Sequence, residues 1–555
     1  MAVQRTRKNQ KSIYKTMLII NVIALIFGVL YLFMGSESIF WNIYGIFIFA
    51  ALLGNLFMAY QEDPRLKRGY FYLGFFGIFM LLIPLFNSLS SFTPTHYSSR
   101  SIVSCVLLLA LFLSGGMLAI INLISNKTEA ELLIDSITLK NQKESHKQRT
   151  IKTIIIVFLS IILTIGLAVT YNILVVNEML WVTEVFISGF SLFYAFLFLS
   201  VGLLIIKLLP RNKSTYIRFV YSLLTLIVFI VCLLPQASVP FMAKNAEEVY
   251  TEAFGEEYLI NPDFNTEYFK KVKFSIPEYF FGTISKGFNV SKDIPFYSGT
   301  EGVDKGLNLY FDVYTPNPDG DMLPGGNSVL IRIHGGGWVS GDKGFLNNAQ
   351  TNRYFASKGY VVFDIQYGLS NKSSTEKSYE SPYGDFTIDD MVRHIGKFLQ
   401  YLVENSEEYN ANTDSVFISG GSAGGNLALA AGLGYASGKY DDILDSEVNI
   451  SGLIPFYPAN ALAYNNGIGY SEEFIDPSKL VDEFSPPCLV FQGSHDGIVK
   501  YFVTEQFKEA YKEAGNEQCA IIPMPFGGHA FDMYFPGYYN QLCLYYMERF
   551  MYQYR

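Results

Sequence analysis

The chain has 555 residues, half of them apolar, with 41 Lys and Arg against 50 Asp and Glu and a formal charge of −9. That length is too great for one ordinary domain, and five cysteines without a C-x-x-C or H-E-x-x-H pattern argue against a disulfide framework and a metal centre. Residues 1–240 hold 19 basic and 9 acidic groups, a formal +10, and residues 241–555 hold the remaining 22 and 41, a formal −19; so acidic a second half argues against a nucleic-acid partner, because phosphate binding needs a basic surface.

Seven apolar runs, near 17–34, 39–60, 70–89, 101–125, 153–174, 181–206 and 217–239, are long enough to cross a hydrocarbon core, which takes about 20 residues. Basic residues precede the first, but six further runs follow it without a convincing cleavage site, so it is read as a retained anchor. The N-terminal tail (Arg5, Arg7, Lys8, Lys11, Lys15) and alternate loops (Arg65, Lys67, Arg68; Lys127, Lys140, Lys143, Lys147, Arg149, Lys152; Lys207, Arg211, Lys213, Arg218) hold 18 basic residues, against Arg100 alone in the other loops. Basic loops stay in the cytoplasm, so the N-terminus is predicted inside and everything after the seventh span outside. Glu184 is the one acidic residue assigned to a span, near the outer end of the sixth; an intramembrane carboxylate is either functional or within reach of the headgroups. Asn21, Asn55 and Asn122 are expected to hydrogen-bond between helices.

Residues 241–300 read as an approach or cap-like segment, and 301–555 as the catalytic domain. In the latter, strands are predicted at Leu307–Tyr314, Val329–Ile333, Tyr360–Ile365, Val416–Ile418, Val448–Pro455, Cys488–Phe491 and Ala520–Pro523. Helices are predicted near Ile388–Glu407, from Asn426, and near Val503–Ala514 and Gln541–Tyr552. Such alternation predicts an α/β domain with a mostly parallel sheet and its active residues at the C-terminal strand ends. Ser370–Phe386 and Ala459–Glu483 interrupt the rhythm as substrate-contacting loops or as surface insertions. Cys488 and Cys519 each fall in a strand and are read as buried thiols rather than a bridge.

Two stretches carry the chemistry. Gly420-Gly421-Ser422-Ala423-Gly424 joins a strand to a helix, a sharp turn that exposes the serine hydroxyl. His334-Gly335-Gly336-Gly337-Trp338 also ends a strand, and its amides can face a developing oxyanion. Serine is a weak nucleophile without an imidazole to take its proton and a carboxylate to orient that imidazole. His529, in a glycine-rich loop after a strand, is the predicted base and Asp496 the predicted acid; His495 is the alternative base, and Asp482 and Asp532 are rival acids.

In these motifs residues of about 290–555 resemble α/β-hydrolases of the esterase/lipase branch, the hormone-sensitive-lipase-like enzymes and acetyl or feruloyl esterases. The resemblance implies Gly336, Gly337 and the amide of Ala423 as oxyanion hole, with His334 and Gly335 shaping the loop, and no cofactor. Gly421 stands where many hormone-sensitive-lipase-like members carry an acidic residue, which tilts the reading towards polysaccharide esterases. The expectation is a membrane-anchored serine esterase at a bacterial cell surface, facing outward, with membrane lipid around it and an acyl ester of a glycan or lipid as substrate. Acyl transfer to a sugar hydroxyl and a non-catalytic sensor or scaffold are the alternatives; no protein partner is indicated.

Overall fold

A computed structural model describes residues 2–34, 38–62, 66–92, 99–124, 145–176, 181–210, 215–257, 268–317, 323–344, 347–371, 382–444 and 447–555, with the side chains of 2–10, 181 and 182 excepted. His96, Arg65, Lys127, Lys140, Lys143, Arg211 and Lys213 lie outside the described residues, and the side chains of Arg5, Arg7 and Lys8 are likewise undescribed.

Among the described residues, seven helices are long and apolar enough to cross a membrane: Lys11–Met34, Ile39–Gln61, Lys67–Phe92, Ile102–Ile124, His146–Leu174, Ser191–Leu208 and the long segment Thr215–Phe254, broken near Ser238. Their outward faces are apolar, and polar side chains inside the bundle pair with one another or with backbone carbonyls. Asn21 and Asn55 exchange amide hydrogen bonds of 2.8 and 2.7 Å between the first two helices. A Cβ on Gly115 would sit 2.1 Å from Asn55 Nδ2, so glycine lets the fourth helix close on that pair. Asn122 accepts from Arg68, which also pairs with the buried Glu62, and Lys207 Nζ donates to the carbonyls of Tyr60 and Glu62. These basic residues gather at one end of the bundle.

The sixth span begins at Ser191, ten residues later than the hydropathy predicts. Trp181–Glu184 is a single helical turn followed by a turn over 185–190, so Glu184 lies outside the spans. The apolar run Val185–Ile187 continues the hydropathy signal without continuing the helix.

The second half is an eight-stranded sheet: β1 Phe288–Ser298, β2 Asn308–Pro316, β3 Ser328–Ile333, β4 Val361–Ile365, β5 Asn412–Gly421, β6 Ile450–Phe456, β7 Cys488–Gly493 and β8 Cys519–Met524. The spatial order is β1-β2-β4-β3-β5-β6-β7-β8, with β2 antiparallel to both its neighbours and every other pair parallel. This is the α/β-hydrolase fold. Alternation along the strands sends Val329, Ile331, Phe363, Ile418 and Val490 to one face, packed by the helices Ile388–Asn405, Ala423–Ala436 and Tyr501–Glu513. Leu330, Val362, Phe417, Ile454 and Phe491 point to the other face and join one apolar cluster that continues through the C-terminal helix Tyr538–Tyr554 into the bundle. All five cysteines are buried and unbridged, Cys488 and Cys519 being register partners on β7 and β8.

The described residues of the 241–300 stretch supply three unlike pieces. Helix Val239–Phe254 packs Tyr250 on Tyr546 and Phe254 on Phe550 of the C-terminal helix. Helix Ile276–Phe281 inserts Tyr279, Phe280 and Phe281, all buried, into the end of the bundle. Strand β1 forms the sheet edge. Its residues are half-buried or exposed, with none fully buried, and Pro295 and two register shifts interrupt it, so it lacks the buried apolar run that marks the inner strands.

The seam is held by hydrogen bonds to backbone. Asn42 brackets Phe274 and Ile276, Asn87 Nδ2 donates to the carbonyl of Phe280, and Arg100 donates to the carbonyls of Phe281 and Gly282. Arg353 and Gln350, on the polar but buried helix Asn347–Ala356, donate to the carbonyls of Ser91 and Asn87. The hydrolase half therefore sits at the bundle end opposite the basic loops. Arg100→Ala leaves two buried carbonyls without that donor and is expected to lower stability by about 2–4 kcal/mol, read as a fall in the thermal midpoint of the full chain in detergent; an unchanged midpoint would count against this seam.

Candidate active site

Strand β5 ends at Gly421 and the next helix starts at Ala423, leaving Ser422 alone between them at φ 58° and ψ −120°. That left-handed conformation is strained for a residue with a side chain. Close packing holds it: a Cβ on Gly420 would lie 2.3 Å from the carbonyl oxygen of Gly424, and one on Gly424 would lie 2.2 Å from that of Ile333. The Ser422 amide donates to the carbonyl of Phe456 at 3.0 Å, and the Ser422 carbonyl accepts from Asn426 and Ala459.

Ser422 Oγ lies 3.0 Å from His529 Nε2, and His529 Nδ1 lies 2.9 Å from Asp496 Oδ2. Asp496 is fixed in turn, its Oδ1 accepting from the amides of Ile498 (2.9 Å) and Val499 (2.7 Å). The sheet brings the three together because β5, β7 and β8 are parallel and each residue follows the C-terminal end of its strand. Burial alone would lower the His529 pKa, but the Asp496 carboxylate, with Glu184 and Asp532 behind it, outweighs burial and holds it above the ordinary 6.5.

The rival residues are engaged elsewhere. His495 bonds the Ser494 hydroxyl and lies against Phe526, because neighbouring residues on that turn point apart. Asp482 caps the turn at Phe484 and Ser485. Asp532 accepts from the Tyr457 hydroxyl and from Asn347, both at 2.7 Å.

The glycine loop lies against the serine: a Cβ on Gly335 would be 2.8 Å from the Gly421 carbonyl and 3.5 Å from Ser422 Cβ. Gly336 and Gly337 take φ of 120° and 61°, and no hydrogen bond found among the described residues uses the amides of Gly336, Gly337 or Ala423. These N–H groups are available to an oxyanion. His334 stacks on Tyr367 at 4.4 Å, turns Nδ1 to the Gly335 carbonyl, and is pushed below its usual pKa by burial; its contacts shape the loop. From the two insertions, Asn466 donates to the Gly337 carbonyl and Ser370 to that of Trp338, so both border the glycine loop, while 372–381 fall outside the described residues.

Two contributors were not among the predicted site residues; Tyr457 carried no sequence signal, and Glu184 stood out only as a carboxylate in an apolar run. The ring of Tyr457 packs 4.7 Å from His529, and a Cβ on Gly421 would come within 3.1 Å of the Tyr457 hydroxyl. An acidic side chain at 421 would therefore crowd the tyrosine that packs on His529. Glu184, noted in the sequence only for its depth, reaches the loops of both Asp496 and His529: its Oε2 accepts from the amides of Gly497 (3.0 Å) and His529 (3.3 Å).

The BD-FAE family model matches residues 311–467, a range that includes the glycine loop and Ser422 and stops short of Asp496 and His529. A probable carboxylic ester hydrolase, LipM, of Mycobacterium tuberculosis is 22% identical over 238 residues, 39% of this chain and 52% of that protein. Esterase LipC of the same organism is 22% identical over 228 residues, 37% of this chain and 53% of that protein. The chain spans about half the length of these curated relatives. A crystal structure of esterase B from Lactobacillus rhamnosis is 17% identical with a TM-score of 0.36, covering 54% of this chain and 88% of that one.

Substitution separates the two histidines. His529→Ala is expected to slow fluorophosphonate modification of Ser422 by about a thousandfold or more, and His495→Ala to leave it within about twofold, measured as second-order rate constants; equal losses would reverse the assignment. Gly421→Glu is expected to slow the same reaction by on the order of tenfold, through crowding of Tyr457.

Proposed function

We propose that the chain is a membrane-embedded serine hydrolase that cleaves carboxylic esters through an acyl-serine intermediate. The observation that carries this reading is the Ser422–His529–Asp496 array with both links at 3.0 Å or less. His529 takes the Ser422 proton as Oγ attacks the ester carbonyl, and Asp496 holds the imidazole in the tautomer that accepts at Nε2. The carbonyl oxygen becomes an oxyanion against the amides of Gly336, Gly337 and Ala423, a donor of this kind lowering the barrier by roughly 3 kcal/mol. His529 then protonates the departing alkoxide. Water then attacks the acyl carbon as it gives a proton to His529, and His529 passes a proton to the departing Oγ, which releases the acid and restores Ser422.

The substrate we favour is an acyl ester at the extracytoplasmic face of the cell membrane, carried on an envelope glycan or a lipid. Two features support this. The basic residues of the sequence favour a cytoplasmic N-terminus, and the hydrolase half packs on the bundle end remote from those loops, its base loop touching Glu184 and Ser188 between two spans.

Fluorophosphonate is expected to label the wild-type chain and not Ser422→Ala; labelling that survives the substitution would defeat the reading. Against short-chain, long-chain, feruloyl and glycan-acetyl esters, hydrolysis by the full chain identifies the acyl class. Because neutral His529 is the proton acceptor and its pKa is raised, kcat/KM should fall as pH drops, with a midpoint above 6.5. Protease added to intact cells should digest the hydrolase half; protection would reverse the orientation.

A further inference from the structure

The carboxylate of Glu184 is buried, yet one of its oxygens is shared by two amides from different loops and the other, Oε1, has no hydrogen-bond partner among the described residues. Half-satisfied buried carboxylates cost stability, so packing alone gives no reason for one here. The two amides belong to Gly497, next to Asp496, and to His529 itself. The adjoining Gly528 amide donates to Ser188 Oγ at 3.3 Å, and a Cβ at Gly528 would sit 3.0 Å from Glu184 Cβ, so glycine there allows the approach. The segment between the fifth and sixth spans thus holds three backbone amides of the two loops that carry the acid and the base, those of Gly497, Gly528 and His529.

We propose that Glu184 is a positioning residue for the triad: a carboxylate supplied by the membrane bundle that sets the spacing of the Asp496 and His529 loops and adds negative charge behind the imidazole. The hydrolase half therefore depends on the bundle for its catalytic alignment. This rests on the ester-hydrolase reading of Ser422. The groups facing His529 are Asp496 from the β7 loop, Glu184 from the bundle, Asp532 from its own loop, backed by Arg332, and the Tyr457 ring. Glu184 itself faces Asp496 and His529, and burial with the Asp496 charge raises its pKa against the opposing effect of the two amides and His529.

The test uses the full chain in detergent or nanodiscs, with a fluorophosphonate as probe and its rate constant followed against pH per titratable Ser422. Glu184→Ala is expected to lower the plateau rate by on the order of tenfold and to move the acid limb down by about half a unit. Glu184→Gln keeps an acceptor oxygen and loses the charge; it should recover much of the plateau and still show the shifted limb. Ser188→Ala, which removes a neutral contact to the same loop, should leave the limb where it is. Glu184→Ala and Glu184→Gln with the wild-type plateau and limb, or a loss confined to the titratable fraction, would overturn the proposal. Failure of the wild type to label at Ser422 would instead overturn the hydrolase reading beneath it.

Discussion

Burying one face of the hydrolase sheet against the end of a helical bundle obliges the polar groups trapped between them to find partners, because an unpaired buried donor or acceptor costs about 1–3 kcal/mol. The single apolar cluster that runs from the spans through the C-terminal helix to the sheet supplies the drive to close this seam. Its polar members set the fit. Arg100, Asn87 and Asn42 satisfy backbone of the inserted 274–282 segment, and the helix Asn347–Ala356 turns a polar face into the seam. Hydrophobic closure would tolerate sliding; directional bonds to specific carbonyls do not.

The active site inherits that fixity. Ser422 is positioned by the sheet alone, through glycines that admit backbone oxygens where side chains would collide. Asp496 and His529 stand on loops, and loops need support from outside the sheet. On one side that support comes from Tyr457 and Asp532, within the hydrolase half. From the other it comes from Glu184 and Ser188, carried by the bundle. The same neighbours that hold the imidazole also bias its charge, since Asp496, Glu184 and Asp532 all favour the protonated ring. Geometry and electrostatics at His529 are therefore set by two parts of the chain more than three hundred residues apart in sequence.

Much of this was legible in the residues. The buried strands β3 to β8 announce themselves as short apolar runs, and the elbow and glycine loop as clusters of small residues at strand ends, because local sterics demand them. Strand β1 and the helix Asn347–Ala356 were not legible: one is an edge with a proline and no fully buried residue, the other a polar segment whose partners are distant in sequence, in the bundle and across the sheet. The sixth span was placed early because hydropathy measures apolarity and is blind to a carboxylate drawn aside by distant amides.

Sequence by itself determined the division into seven apolar spans and an α/β half, and it narrowed the candidates to Ser422, two histidines and three carboxylates, since period, span length and turn chemistry are local properties. Only the tertiary structure brought Ser422, His529 and Asp496 within hydrogen-bonding distance of one another, took Glu184 out of the sixth apolar helix to the loops of Asp496 and His529, and set Gly421 beside Tyr457. Those outcomes depend on which loops meet across the sheet and the seam, and such meetings are fixed by long-range packing that no local pattern encodes.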